Sequence, residues 1–212
     1  IVPVSTPVTQ AVAQVAPRDQ DIVFSTVTNP DDVGMQNRPE NMTGTSDAVN
    51  YEANIDLIQQ IVPKVSNIGM IYNSGERNSQ FGVEQTKAIV DARGLNLVLV
   101  TVANSGEVSD AARSLIGSVD VFYVGSDNTV VSAIEALLST AYENGIPVIA
   151  SDIGSVQNGA VAAISVDYEK VGRAAGELTA KVLETGLRAG SLDPVVVVGD
   201  TLVINRSSLE KI

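Results

Sequence analysis

Short polar side chains gather at the points where apolar runs of this sequence end. The groups are Ser5 and Thr6; Thr28 and Asn29; Asn73, Ser74, Glu76 and Asn78; Asp127 and Asn128; and Ser151 and Asp152. Hydroxyl groups and the free N–H groups of helix starts suit a carboxylate or another small anion. Asp127 and Asp152 suit an ammonium group or a hydroxyl donor. One site that offers both chemistries suits an amino acid.

Two other interpretations of these polar residues stay open at this point. Ser, Thr, Asp and Asn are favoured as helix N-caps whatever the function, and for any single turn capping is the better explanation. The functional interpretation rests on the set, because several turns carry two or more such groups where one cap is enough. A sugar is the competing ligand, since Asp and Asn also bind hydroxyl groups, although the chain has no Trp to stack on a sugar ring.

The elements that must position these residues alternate between apolar runs and helical periodicity. Most of the runs are apolar without alternation, as parallel strands covered on both faces are. Strands are predicted at 1–4, 21–27, 67–73, 96–102, 120–125, 146–151 and 160–166.

Helices fill the gaps between the predicted strands. Apolar stripes of helical spacing run from Val130 to Ala141 and from Val171 to Val182. Further helices are predicted at about 6–16, 50–62, 78–93 and 107–116. Strand–helix alternation is typical of an α/β fold with parallel sheets, in which the strand-to-helix turns share the carboxyl edge where ligands bind.

Composition removes several function classes. Asp and Glu outnumber Lys and Arg by 25 to 13, a formal charge of −12, which disfavours nucleic acid and anionic lipid as partners. The chain has no Cys and no His, so disulfides, thiolate catalysis and a Ser-His-Asp triad are excluded. No EF-hand loop and no Walker-type glycine loop is present, and no metal or cofactor is expected. No run of about 18 apolar residues predicts a membrane span.

The polar segment 28–47 is predicted to be a long loop. The five predicted strands after it, from 67 to 166, are enough for a complete doubly wound sheet, whereas the two before it are too few for a sheet of their own. The opening "IVPVSTP" looks like the end of a buried strand, so the first lobe is expected to be incomplete at its N-terminal side.

Seven segments, in order, resemble the substrate-binding proteins of ABC transporters in the tryptophan/tyrosine-type family. They are "STPVTQAVAQ", "IVFSTVTNP", "NMTGTSD", "IGMIYNSGERNS", "YVGSDNTVVSAIEA", "VIASDIGSVQNGAVAAISVDYEKVGRAAGELTAKVL" and "LVINRSSLEKI". The resemblance covers essentially the whole chain. It implies a type I periplasmic-binding fold: an α/β protein of two Rossmann-like, doubly wound parallel-sheet lobes joined by three crossovers.

The resemblance also implies where each lobe lies in the sequence. Lobe 1, incomplete here, is expected at 1–47 plus 167–190, and lobe 2 at 48–166 plus 193–212. The crossovers, at 45–47, 166–168 and Asp193–Pro194, would act as the hinge.

By the same resemblance, the chain is expected to capture a small amino acid in the cleft between the lobes and to deliver it without chemistry, and the family's preference puts aromatic amino acids first. Lobe 1 would present Ser5, Thr6, Thr28 and Asn29 to the ligand carboxylate, and lobe 2 would bring Asn78, Ser79, Asp127, Asn128 and Asp152. Asp127 is the first candidate for the ammonium group. The expected partners are an ABC permease and its ATPase. The protein would be a monomer outside the cytoplasm, in contact with the membrane only through a lipid tether or the permease.

Two functions of other classes remain as alternatives. The effector domain of a transcriptional regulator that binds a sugar or another small molecule shares this fold, but it would need a DNA-binding headpiece that the sequence does not show. An α/β enzyme would be limited to carboxylate, Lys or Tyr chemistry, and no constellation of such residues stands out.

Overall fold

A computed structural model describes residues 1–210 of the chain. It divides into two compact units. Unit 1 contains Ile1–Val49 and Val166–Gly199. Unit 2 contains Asn50–Ser165 and the described residues from Asp200 onward.

Nine strands form within the described residues. They are β1 (Ile22–Phe24), β2 (Met42–Ala48), β3 (Asn67–Tyr72), β4 (Asn96–Thr101), β5 (Val121–Val124), β6 (Val148–Ala150), β7 (Ala162–Ser165), β8 (Val195–Val198) and β9 (Thr201–Ile204).

The same stretch contains nine α-helices and four single 3₁₀ turns. The helices are α1 (Thr6–Val15), α2 (Tyr51–Ile61), α3 (Arg77–Ala92), α4 (Val108–Leu115), α5 (Asn128–Ser132), α6 (Ile134–Glu143), α7 (Ile153–Gln157), α8 (Tyr168–Thr185) and α9 (Arg206–Leu209). The 3₁₀ turns are Pro30–Val33, Met35–Asn37, Ser105–Glu107 and Ala189–Ser191.

Unit 2 is built on a six-stranded sheet in the order β4-β3-β5-β6-β7-β9. Its first five strands are parallel, and β9 closes the β7 edge in antiparallel orientation. In β5, Phe122 and Val124 pack into one apolar cluster while Val121 and Tyr123 pack into another. Successive strand residues point to opposite faces, so burial on both faces requires an uninterrupted apolar run. The doubly wound sheet predicted from 67 to 166 is confirmed, with β9 added.

Unit 1 contains a three-stranded parallel sheet in the order β1-β2-β8. The predicted strand at 1–4 is reduced to a single bridge between Val4 and Ser25. Pro3 has no N–H to donate, although its carbonyl oxygen accepts from the Ser25 amide at 2.9 Å. The segment therefore lies along β1 without a full ladder.

The predicted loop at 28–47 is wrong for its last third, because β2 begins at Met42 and is the central strand of unit 1. Its hydroxyl side chains are buried with partners: the Thr43 hydroxyl donates to the Leu192 carbonyl at 2.9 Å and the Ser46 hydroxyl to the Thr28 carbonyl at 3.1 Å. Satisfied hydroxyl groups make a polar strand compatible with a core position.

The predicted assignment of 193–212 to lobe 2 is wrong for β8. This strand pairs in parallel with β2, and the Gly199 amide donates to the Ala48 carbonyl at 2.9 Å. The chain therefore leaves unit 1 between Gly199 and Asp200, not at Asp193–Pro194. The other two passages between the units lie at Val49–Asn50 and Ser165–Val166.

Candidate functional site

Two strand-to-helix turns at the carboxyl edge of unit 2 are joined into one polar network. The first follows β3 and leads into α3, and the second follows β5 and leads into α5. Because β3 and β5 are neighbours in the sheet, their turns meet at the same edge. The network contains Asn73, Glu76, Asn78, Ser79, Asp127, Asn128 and Thr129.

Glu76 is the centre of this network and accepts five hydrogen bonds. Oε1 accepts from the amide and the hydroxyl of Thr129 at 3.0 and 2.7 Å. Oε2 accepts from the amide and Nδ2 of Asn128 at 3.1 and 2.6 Å, and from Asn78 Nδ2 at 3.2 Å. Burial by itself would favour the neutral acid, but the hydrogen bonds from Thr129, Asn128 and Asn78 outweigh it and lower the pKa of Glu76. The site therefore holds a buried negative charge.

Asp127 joins the same two turns through both carboxylate oxygens. Oδ1 accepts from the Val130 amide at 2.8 Å and so caps α5. Oδ2 accepts from the Asn73 amide at 2.6 Å and from the Ser79 hydroxyl at 2.5 Å. Only 3% of the residue is exposed, and three donors already occupy its carboxylate. The structure thus gives Asp127 a bridging and capping role, and its predicted contact with a ligand ammonium stays a prediction.

Asn78 has one buried polar atom whose hydrogen-bonding capacity is unused among residues 1–210. Its Nδ2 donates to the Ser126 carbonyl at 2.8 Å and to Glu76, and the residue is 2% exposed. Its Oδ1 is buried and has no hydrogen-bond partner among residues 1–210. A buried acceptor without a partner is costly unless a ligand or water supplies a donor.

Asp152, predicted to belong to the site, caps α7 at the carboxyl end of β6. Its Oδ1 accepts from the Ser155 amide at 2.7 Å and its Oδ2 from the Ser155 hydroxyl at 2.6 Å. Nearby Tyr123 is fully buried, and burial raises the pKa of its phenol well above the usual value, with Tyr51 adding to the shift and Ser151 opposing it.

In unit 1 the predicted pair Ser5 and Thr6 begins α1. Ser5 precedes the helix with φ of 82°, a left-handed conformation that is strained for a residue other than Gly. It makes no side-chain cap, although its carbonyl accepts from the Thr9 hydroxyl at 2.8 Å. The hydroxyl of Thr6 is buried and has no hydrogen-bond partner in the described chain. The start of α1 thus has N–H groups without a side-chain cap, next to the Thr6 hydroxyl, which is available as a donor.

The second predicted pair of unit 1 follows β1. Asn29 Oδ1 accepts from the Asp31 amide at 3.3 Å and so caps the 3₁₀ turn at Pro30–Val33. Thr28 is buried and its side chain hydrogen-bonds the carboxyl group of Asp47. Thr26, between β1 and Thr28, has φ of 55° and a buried hydroxyl without a partner in the part of the chain that the structure describes.

The structure therefore brings together four of the predicted residues in unit 2: Asn78, Ser79, Asp127 and Asn128. Glu76 and Thr129, which link them, were not among the predicted site residues. Glu76 follows β3 in the same polar turn as Asn78, so its position in the sequence was a usable signal. Asp47 carried no such signal, because its segment was interpreted as loop.

Neither a membrane-spanning helix nor a metal site emerges from residues 1–210. None of the described helices is long and apolar enough to cross a bilayer. No group of three or more Asp or Glu residues in the described chain is arranged to hold a metal ion.

Comparison with known proteins gives the family. A model of the family described as ABC transporter substrate binding protein matches residues 1–212. A curated protein of Clostridioides difficile (strain R20291) called Tyrosine-binding protein is 38% identical over 212 residues, which is 98% of this chain and 61% of that protein. This chain thus spans less than two thirds of the length of that relative.

Two solved structures are similar over 99% of this chain and 72% of their own chains, each with a TM-score of 0.93. One is a conserved domain protein from Vibrio cholerae, 36% identical, and the other is an ABC domain from Streptococcus pneumonia in complex with L-Trp, 27% identical. The predicted α/β fold of the type I periplasmic-binding kind is confirmed by these neighbours. From its sequence and its fold alike, the chain belongs to the family of ABC transporter substrate-binding proteins.

Proposed function

We propose that this chain is the solute-binding component of an ABC importer and that it binds an aromatic amino acid, tyrosine or tryptophan. The observation that carries the proposal is the agreement between two relatives, one named for tyrosine binding and the other solved with L-Trp. That the amino acid lies in a cleft between two lobes stays a prediction of the family resemblance.

The start of α1 supports the carboxylate part of this ligand. Uncapped N–H groups at a helix start attract anions, and the buried Thr6 hydroxyl adds a hydrogen-bond donor next to them. The left-handed conformation of Ser5 turns the chain at this point, and such strain is commonly retained at binding sites. Ser5 and Thr6 are therefore our candidates for the carboxylate contact.

The polar network of unit 2 supports binding of a hydrogen-bond donor. Glu76 contributes a buried negative charge, and Asn78 Oδ1 is an acceptor without a partner among residues 1–210. A ligand N–H placed against Asn78 would satisfy this acceptor and would be favoured by the charge. Asn78 is our candidate for this contact, with Glu76, Ser79, Asp127 and Asn128 holding it in position.

The transport function also defines the partners. The protein would deliver its amino acid to a membrane permease powered by a separate ATPase, outside the cytoplasm and as a monomer. The family match favours this function over a sugar-binding regulator domain. No catalytic step is proposed, because members of this family bind their substrate without transforming it.

Thermal unfolding in the presence of single ligands tests the proposal. The panel is the twenty amino acids and common sugars, each at about a hundredfold excess over a micromolar Kd. A ligand that binds the native state at this excess stabilises it by roughly 2.7 kcal/mol, a readily measured rise in Tm. We expect rises with L-tyrosine, L-tryptophan or both, and smaller rises in Asn78→Ala and Thr6→Val.

Three outcomes would count against this proposal. A rise with sugars alone would support the regulator alternative, and no rise with any amino acid would overturn the proposed ligand class.

The control is Asn104→Ala, an exposed residue outside the network, which we expect to keep the full ligand response. Equal losses in Asn78→Ala and in this control would overturn the assigned contact.

A further inference from the structure

The buried polar row of β2 contains one group without its full set of partners. The hydroxyl groups of Thr43, Thr45 and Ser46 each have a hydrogen-bond partner within unit 1. Asp47 is 5% exposed, and its Oδ1 has no partner among the described residues. An acidic oxygen shielded from water without a donor is an expensive feature for a strand to keep.

Within residues 1–210, the elements packed against Asp47 supply no positive charge that compensates it. The elements packed against β2 are β1, β8, the 3₁₀ turn Ala189–Ser191 and α8, and the first three contain no ionisable side chain. The ionisable side chains of α8 are all exposed. Of these, Arg173 pairs with Glu169 at 2.9 Å, and Lys170 pairs with Asp167 at 3.6 Å. The segment between Thr28 and Gly34 contains no basic side chain and contributes only the acids Asp31 and Asp32.

This setting has the expected effect on Asp47. Burial raises the pKa of its carboxyl group to about 6, and hydrogen bonds from its own backbone and from Thr28 offset only part of the rise. The chain has no His, so few other side chains change charge between pH 5 and 7.

Asp47 lies at the same edge of unit 1 as the residues that we assign to the ligand carboxylate. The segment that ends at Val4, then β1, then β2 are parallel neighbours, so the residues that follow them share one edge of unit 1. Thr6, Thr26 and Asp47 each present at this edge a buried polar atom without a partner in residues 1–210. Three such atoms at one edge indicate a polar ligand whose groups complete them.

We propose that Asp47 receives the ammonium group of the amino acid, as a further ligand-binding residue of unit 1. This inference rests on the proposed function. The chemistry selects an ammonium group because the open position is a carboxylate oxygen with no cation beside it among the described residues. Asp127 is less suited, since three donors already occupy its carboxylate. Entry of the ligand requires a local opening at the end of β2, close to the passage between the units at Val49–Asn50.

The proposal couples binding to proton release. Below about pH 6 the free carboxyl group of Asp47 is neutral and must lose its proton to accept an ammonium ion. Affinity therefore rises with pH up to this value, by at most about tenfold per pH unit, and levels off above it. The ammonium and carboxylate groups of the ligand do not titrate in this range.

Calorimetric titration of the full chain with L-tyrosine and L-tryptophan tests this assignment. Measurements at pH 5, 6 and 7, in two buffers of different ionisation enthalpy, report the affinity and the protons released. We expect release of up to one proton at pH 5 and an affinity that increases towards pH 7. In Asp47→Asn we expect a loss of about tenfold or more at pH 7 and no pH dependence.

Matched variants and ligands separate the possible failures. Asp193→Asn, an exposed acid of unit 1, should behave as the wild type. The desamino analogue 3-(4-hydroxyphenyl)propionate should bind the wild type far more weakly than tyrosine does, and Asp47→Asn should distinguish the two ligands much less. If the wild type binds tyrosine with no proton release and no change between pH 5 and 7, this inference is overturned while the proposed function stands. This readout needs no variant to fold. If the wild type binds no amino acid, both fail.

Discussion

At the scale of single residues, two buried carboxyl groups differ in their hydrogen-bond partners and in the direction of their pKa shifts. Glu76 accepts five hydrogen bonds and remains charged, whereas Asp47 has an open oxygen and a raised pKa. Glu76 stabilises the native unit, because its five hydrogen bonds compensate the buried charge. The second costs stability in the absence of ligand, which is the usual condition of a group kept for binding.

Replacing Glu76 by Gln should destabilise the protein by about 2 kcal/mol at pH 7. The Gln amide nitrogen is a donor, and it would face donors from Asn128 or Thr129 in place of a charged acceptor. Urea unfolding of Glu76→Gln measures the change, with Glu84→Gln as a control on the exposed side of α3. Equal stability of the two variants would contradict the central role of Glu76.

This difference should also depend on pH. The pKa of Glu76 is lowered in the folded state from the ordinary 4.5, so its stabilisation is complete above that value and is lost as pH falls through the folded pKa. The gap between wild type and Glu76→Gln should therefore shrink in acid. A gap that stays constant from pH 7 down to pH 3 would show that the charge is not responsible.

At the scale of elements, the apolar strands were predictable and the polar ones were not. The strands β3, β5 and β6 are short Val/Ile-rich runs buried on both faces, a pattern that periodicity detects. The run Met42–Ala48 has the composition of a loop, and it becomes a strand because tertiary partners satisfy its hydroxyl groups. Gly44 also depends on a tertiary contact, because a Cβ at this position would lie 2.2 Å from the Phe24 carbonyl oxygen. None of these contacts is local in sequence.

The helix stripe from Val130 to Ala141 shows a second limit. Its apolar spacing is continuous, yet the structure ends α5 at Ser132 and begins α6 at Ile134, with Ala133 at φ of −114°. Spacing reports which face is buried and is insensitive to a one-residue break. The candidate site was predictable to the same degree: turn position found Asn78, Ser79, Asp127 and Asn128. Only tertiary contacts reveal that Glu76 joins Asn78 to Asn128.

Substitution of Ala for two glycines, one inside α8 and one at its end, should change the unfolding free energy in opposite directions. Gly186 ends the helix with φ of 66°, where a side chain is strained, so Gly186→Ala should lower the unfolding free energy by about 1 kcal/mol. Gly176 lies inside the helix with open space around it, so Gly176→Ala should raise it by up to about 1 kcal/mol. Thermal unfolding measures both, and changes of the same sign would contradict this account of where α8 ends.

At the scale of the whole molecule, the two units differ in how completely their sheets are covered. The six-stranded sheet of unit 2 has apolar clusters on both faces. In unit 1, the edge strand β8 exposes 56% of Val196 and 53% of Val198. An exposed apolar edge strand is a surface on which another chain can pair.

Placing a charge on this edge should keep the protein monomeric at high concentration. We expect the wild type to associate as concentration rises, and Val196→Lys to reduce this while changing the unfolding free energy by no more than about 0.5 kcal/mol. Sedimentation velocity over a concentration series measures the association. The control is Val15→Lys, at an apolar residue on α1 that is more exposed than Val196 and lies outside the sheet. If both substitutions act alike, general charge and not the strand edge is responsible.

The pairing of β2 with β8 affects the order in which the two sheets can form during synthesis. The Thr43 hydroxyl finds its acceptor 149 residues later, at the Leu192 carbonyl, and Asp47 finds its strand neighbour at Val197. All five parallel strands of unit 2 lie between these partners, within Asn67–Ser165. As a ribosome releases the chain, the five parallel strands of unit 2 can therefore assemble while residues 1–49 still lack the strand that completes their sheet. A segment made before unit 2 is in this sense among the last to reach its final form.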